Sequence, residues 1–120
     1  MTSDCALVFP GQGSQYQGMG KDFYHAFDEA RAVFDEASSA MGLNMARLCF
    51  EGSCEELDLT TNTQTAVFTV DMAVYRVFEK LLPVEPRCMA GHSLGDYAAL
   101  SAAGALPVEE MILLVQARAT

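Results

Sequence analysis

The sequence predicts an α/β fold built on parallel strands. Two short apolar runs, Cys5-Ala6-Leu7-Val8-Phe9 and Cys88-Met89-Ala90, each stop at a glycine-containing loop, and the long stretch between them carries helical periodicity. Continuous apolar runs of this length suit strands buried on both faces of a parallel sheet. Strands paired that way need a long crossover, which the intervening helices supply.

Pro10-Gly11 stops the first strand, and the loop that follows, Pro10-Gly11-Gln12-Gly13-Ser14-Gln15, fits neither phosphate-binding pattern. Tyr16 stands where a third glycine would complete a dinucleotide fingerprint, and Gly18-Met19-Gly20-Lys21-Asp22 lacks the spacing and the hydroxyl of a P-loop. What remains is a loop whose glycines let its backbone approach a ligand; a turn with surface glutamines is the alternative.

From Asp22 to Met41, Phe23, Phe27, Ala30, Phe34, Ala37 and Met41 recur at helical spacing, with Asp28, Glu29, Asp35 and Glu36 opposite. One amphipathic helix ending near Gly42 is expected. Met45 to Phe50 reads as a short helical piece, and Ser53-x-x-Glu56 as a capping box. Thr65 to Leu82 presents Val67, Val70, Val74, Val77, Phe78 and Leu81, which predicts a largely buried helix closed before Pro83 and Pro86. The second strand, Arg87 to His92, lies parallel to the first. A last helix opens at Pro107, with Glu109 and Glu110 in its first turn.

At 120 residues and 51% hydrophobic, the chain has matter for one core. Sixteen acids against seven bases give a net charge of -9, and the stretch from Asp22 to Asp58 is offset only by Arg31 and Arg47. Such a surface repels phosphate backbones and anionic lipid, which argues against nucleic-acid and membrane roles. No apolar run reaches ~18 residues, and the polar start Met1-Thr2-Ser3-Asp4 does not read as a signal peptide, so a cytoplasmic location is expected. Cys5, Cys49, Cys54 and Cys88 form no C-x-x-C pair, and with His25 and His92 they make no zinc spacing. Reduced, mostly buried thiols are expected, Cys88 among them.

The second strand delivers Gly91-His92-Ser93-Leu94-Gly95-Asp96, a G-x-S-x-G turn, into a helix-forming run rich in alanine. A serine on such a strand-to-helix corner is exposed to a substrate carbonyl, and small residues two positions to either side permit the sharp turn. The amide of Leu94 faces the oxygen that becomes negative when Ser93 attacks. Ligands in parallel sheets bind beyond the carboxyl ends of the strands, which makes the Gln12 loop a neighbour of Ser93. In the last helix Arg118 falls beside Met111, Leu114 and Val115. An inward guanidinium needs an anionic partner, and an arginine reaching back to the helix's own last carbonyls is the alternative.

Together Phe9-Pro10-Gly11-Gln12-Gly13-Ser14-Gln15, Thr63-Gln64-Thr65-Ala66, Gly91-His92-Ser93-Leu94-Gly95-Asp96 and an arginine 25 residues after the serine resemble the malonyl-CoA:acyl-carrier-protein transacylases and the acyltransferase domains of fatty-acid and polyketide synthases. The resemblance covers essentially the whole chain. It implies the first part of an α/β-hydrolase-like parallel-sheet core with a nucleophile elbow, residues 1–120 being the N-terminal portion of the large subdomain. It also implies ping-pong acyl transfer. Ser93 takes the malonyl group from malonyl-CoA and passes it to the phosphopantetheine thiol of acyl carrier protein, with no cofactor of the enzyme's own. The amides of Gln12 and Leu94 form the oxyanion hole, Arg118 clamps the free carboxylate, and Gln64 lines the pocket.

Thr65 stands where the family usually has proline, and Asp96 where it usually has glutamate. A larger departure is length: family members are about twice as long or more, and their general-base histidine lies beyond this segment. His92, next to the nucleophile, points away from its hydroxyl, and His25 sits on a surface helix. The resemblance therefore implies that a ferredoxin-like subdomain and a returning core segment are missing here, and that the segment alone is inactive and either poorly soluble or dependent on the rest of the protein. An acidic carrier protein would dock through a local basic patch, with Arg76, Lys80 and Arg87 as candidates, or through the remainder of the acyltransferase chain; an ordinary solvated face is the alternative for those bases. A serine hydrolase of esterase or patatin type and a non-catalytic module stay open as other readings.

Overall fold

In the computed structural model, which describes residues 4–119, strand β1 (Ala6–Phe9) pairs in parallel with β2 (Cys88–Gly91), Ala6 opposite Cys88 and Phe9 opposite Gly91. The amides of Arg87 and His92 extend the ladder to the carbonyls of Cys5 and Phe9. The expectation of strands buried on both faces does not hold among the described residues. Only the side bearing Leu7, Phe9 and Met89 packs on the helices, whereas Val8 is 72% exposed. Cys88 is on the outward side too, and Cys54 is exposed, so mostly buried thiols was a wrong expectation. Cys49 is buried, which pushes its thiol pKa up to about 12.

The first helical stretch is broken in two: α1 (Lys21–Ala26) and α2 (Asp28–Met41) meet at an extended Phe27, φ −134°. The break has a local cause. Asp28 and Glu29 favour a helix start, and Arg31 turns back to donate to the carbonyl of Tyr24 at 2.7 Å, closing α1. After α3 (Met45–Glu51), α4 (Cys54–Asp58) opens on the expected capping box of Ser53 and Glu56.

Helix α5 (Thr60–Leu81) begins five residues before its apolar pattern does. Its first turns are polar, and their side chains bond back to earlier carbonyls: Asn62 to Glu56 at 2.9 Å, Thr65 to Thr61 at 2.9 Å. The threonines can thus be buried at little cost, Thr69 donating to Thr65 at 2.8 Å. The buried face also differs from the expected one, running through 63–69, 71–73 and Val77. It packs on α2 and on α7 (Val108–Ala119), around Phe34, Phe68 and Ile112. Val70, Val74 and Phe78 instead line an open apolar cleft of about 300 Å³ beside β1.

Arg76 and Lys80 reach from α5 to Glu36 and Glu29 of α2, at 3.1 and 2.7 Å, while Arg87 pairs with Asp4 at 2.9 Å. These three bases are therefore tied to acids and do not form a free basic patch. α6 (Gly95–Ala102) follows β2 and packs on both strands. Pro107 precedes α7 and its carbonyl accepts from Met111 at 2.9 Å, so it caps the helix from just outside. Among the described residues no helix is long and apolar enough to cross a membrane.

Candidate active site

Ser93 occupies the turn between β2 and α6 with φ +58°, the one non-glycine residue in the left-handed region among those described. Such a conformation costs about 1 kcal/mol or more for a residue with a Cβ. The turn holds it in place: Gly95 donates to the carbonyl of His92 and Asp96 to that of Ser93, each at 3.0 Å. Gly95 has no room for a side chain, because a Cβ there would stand 2.1 Å from the carbonyl oxygen of Phe9. At Gly11 a Cβ would stand 2.2 Å from the carbonyl oxygen of His92. The loop after β1 and the turn after β2 therefore meet main chain to main chain, which brings Gln12 beside Ser93 as the parallel sheet predicts.

Ser93 is exposed and Leu94 beneath it is fully buried. The hydrogen bonds of the turn use the amides of Gly95, Asp96 and Tyr97, and in the first loop those of Gly13 and Ser14; the amides of Leu94 and Gln12 take no part in them among the described residues. Backbone amides not used by the turn or the loop are the kind of donor that can serve a developing oxyanion.

The sequence-selected side chains converge. Gln64, buried on α5, donates to the side-chain oxygen of Gln12 at 3.3 Å. Arg118 in the last turn of α7 donates to Gln64 Oε1 at 3.4 Å and to Ser93 Oγ at 2.8 Å. The guanidinium thus turns toward the serine, not back to its own helix. Its helical neighbours differ from expectation, since Met111 and Val115 are buried but Leu114 is 49% exposed, which puts Arg118 at the edge of the apolar face. A guanidinium held at this distance from Ser93 offers paired donors to a carboxylate.

His25 is engaged elsewhere, against the rings of Tyr24 and Phe50 at 5.6 and 6.5 Å. Sequence reasoning misses Tyr97, whose ring centroid lies 5.4 Å from the Arg118 guanidinium carbon; its spacing of one helical turn from Ser93 is the signal that could have found it. It misses Asp71 as well. That residue is 7% exposed at the cleft beside β1, its Oδ2 has no partner among the described residues, and burial raises its pKa to about 8.

Residues 6–120 match the profile of the acyl transferase domain. The malonyl CoA-acyl carrier protein transacylase of Bacillus subtilis strain 168 is 45% identical over 116 residues, 97% of this chain and 36% of that protein. The solved malonyl CoA-acyl carrier protein transacylase of Coxiella burnetii superposes with a TM-score of 0.95 at 44% identity, covering 99% of this chain and 38% of that one. A malonyl-transacylase solved in complex with a type II PKS acyl-carrier protein gives 0.93 at 42% identity, over 98% of this chain and 38% of the other. The chain spans only about a third of the length of the curated relatives it matches. With that span of the domain matched, and a mixed α/β fold with a small parallel sheet in common with solved acyltransferases, the chain belongs to the acyl transferase domain family.

Proposed function

We propose that this chain supplies the nucleophile, oxyanion donors and acyl clamp of a malonyl-CoA:acyl carrier protein transacylase, residues 1–120 forming the N-terminal portion of its large α/β-hydrolase-like subdomain. The observation that carries this reading is the contact of Arg118 with Ser93. An esterase has no use for a cation against its nucleophile, whereas a malonyl group carries a carboxylate one methylene away from the carbonyl under attack.

In this reading the turn at Ser93 is a nucleophile elbow. Ser93 Oγ bonds to the thioester carbonyl carbon, and the oxyanion is held by the amides of Gln12 and Leu94, a contribution of about 3 kcal/mol per donor. The C–S bond then breaks, coenzyme A leaves as its thiol, and a malonyl-serine ester remains with its carboxylate on Arg118. Attack by the phosphopantetheine thiol of acyl carrier protein reverses these steps and frees Ser93. No resident cofactor enters. Arginine cannot accept the serine proton, and His25 is held by aromatic rings, so we assign the proton acceptor to a histidine in the part of the acyltransferase beyond this segment. The setting is cytoplasmic, where malonyl-CoA and carrier protein are met in solution.

Incubating the full-length chain with malonyl-CoA and mapping adducts by peptide mass spectrometry tests the reading. A malonyl group on Ser93 that is chased off by holo acyl carrier protein is expected. A full-length chain that stays unmodified overturns it.

A further inference from the structure

Arg118 sits in the last turn of α7 as an exposed residue with a long, flexible side chain, yet its guanidinium is fixed from three sides. Two of the three contacts consume N–H donors: Nη2 is given to Ser93 Oγ at 2.8 Å and Nη1 to Gln64 Oε1 at 3.4 Å. A carboxylate bound through paired hydrogen bonds draws on the same guanidinium nitrogens and competes for the position of the group. The Ser93 contact also weakens once Oγ becomes an ester oxygen, a poorer acceptor. Contacts made by the N–H edge are therefore lost or exchanged when substrate arrives.

The third contact is of another kind. The Tyr97 ring lies 5.4 Å from the guanidinium carbon, within the range where a cation is attracted to a ring face. It uses no N–H. Tyr97 is itself well anchored: its amide donates to the Leu94 carbonyl at 2.9 Å, and its half-buried side chain packs against the core. We infer that Tyr97 is a positioning residue whose ring keeps the Arg118 guanidinium over Ser93 while its donors pass to the substrate, and that it thereby sets the preference for acyl groups ending in a carboxylate over uncharged ones. The inference rests on the malonyl reading of the site.

Rates of Ser93 acylation by malonyl-CoA and by acetyl-CoA, measured on the full-length chain, test it. Tyr97→Leu and Tyr97→Met are expected to lower malonyl acylation about 3- to 10-fold, mainly through KM, with acetyl acylation unchanged. Tyr97→Phe keeps the ring face and should match the parent. The methionine variant decides the matter if the leucine variant fails to fold. Equal losses with both thioesters, an unchanged malonyl-to-acetyl ratio, or a Phe variant as impaired as Leu would each overturn the role. Arg118→Ala is the separating control. If it loses the ratio while the Tyr97 variants keep it, only the tyrosine assignment fails; if it too keeps the ratio, the carboxylate clamp itself is wrong.

Discussion

Arg118 donates a hydrogen bond to the hydroxyl of Ser93 at 2.8 Å, linking the last turn of α7 to the turn that follows β2. In the proposed reaction these two residues serve opposite ends of a very short acyl group. A malonyl thioester must therefore enter between them and replace their mutual contact with one contact to each.

Replacing the arginine separates the two ends. Arg118→Ala should reduce malonyl loading of Ser93 by about 100-fold or more, as loss of a charged, paired hydrogen bond does, and should spare acetyl loading. Arg118→Lys should recover only part of the loss, because an ammonium cannot match the planar two-donor geometry. Side-by-side loading rates with the two thioesters give the answer.

The left-handed backbone at Ser93 makes activity and stability pull apart. Ser93→Gly should abolish acyl-enzyme formation and yet raise stability by about 1 kcal/mol, a Tm gain of a few degrees. Ser93→Ala should abolish the adduct without that gain. Calorimetry paired with mass spectrometry distinguishes the two.

Gly95 should tolerate no side chain. Its missing Cβ would stand 2.1 Å from the Phe9 carbonyl oxygen, and a main-chain atom cannot swing aside. Gly95→Ala is expected to cost about 3 kcal/mol or more and to shift the urea midpoint accordingly.

Asp71 should make stability fall with rising pH. Burial raises its folded-state pKa from 3.8 to about 8, so between those values the folded chain holds a proton that the unfolded chain has released. Stability from this group is fully present below pH 4 and is lost as the pH climbs to 8. Asp71→Asn removes the titration. The Tm of the parent chain should drop by about 5 °C or more relative to the variant between pH 5 and pH 8, and parallel curves for the two would refute the assignment.

The sequence shows most of what local chemistry decides. Ser53 and Glu56 announce their capping box, Gly42 ends α2 with φ +70°, and the apolar runs fall on the two strands. The meeting of the Gln12 loop with the Ser93 turn is legible from parallel pairing, whereas Gln64 and Arg118, on α5 and α7, are legible at the site only through the family resemblance. Features decided by where a side chain reaches, or by which face is covered, are not legible. The break at Phe27 depends on where Arg31 reaches, the early start of α5 on threonines bonding to carbonyls one turn back, and the exposure of Val8 on which face of the sheet is covered. Arg76, Lys80 and Arg87 read as spare charge only until their acidic partners are located.

Because Gly11 abuts the His92 carbonyl and Gly95 abuts that of Phe9, the loop bearing Gln12 and the corner bearing Ser93 behave as one rigid floor. Neither can slide without unzipping the strands that feed it. In the proposed reaction, a change toward bulkier acyl chains should thus come from side chains on α5, α6 and α7, and grafted loops at the floor should cost the fold first.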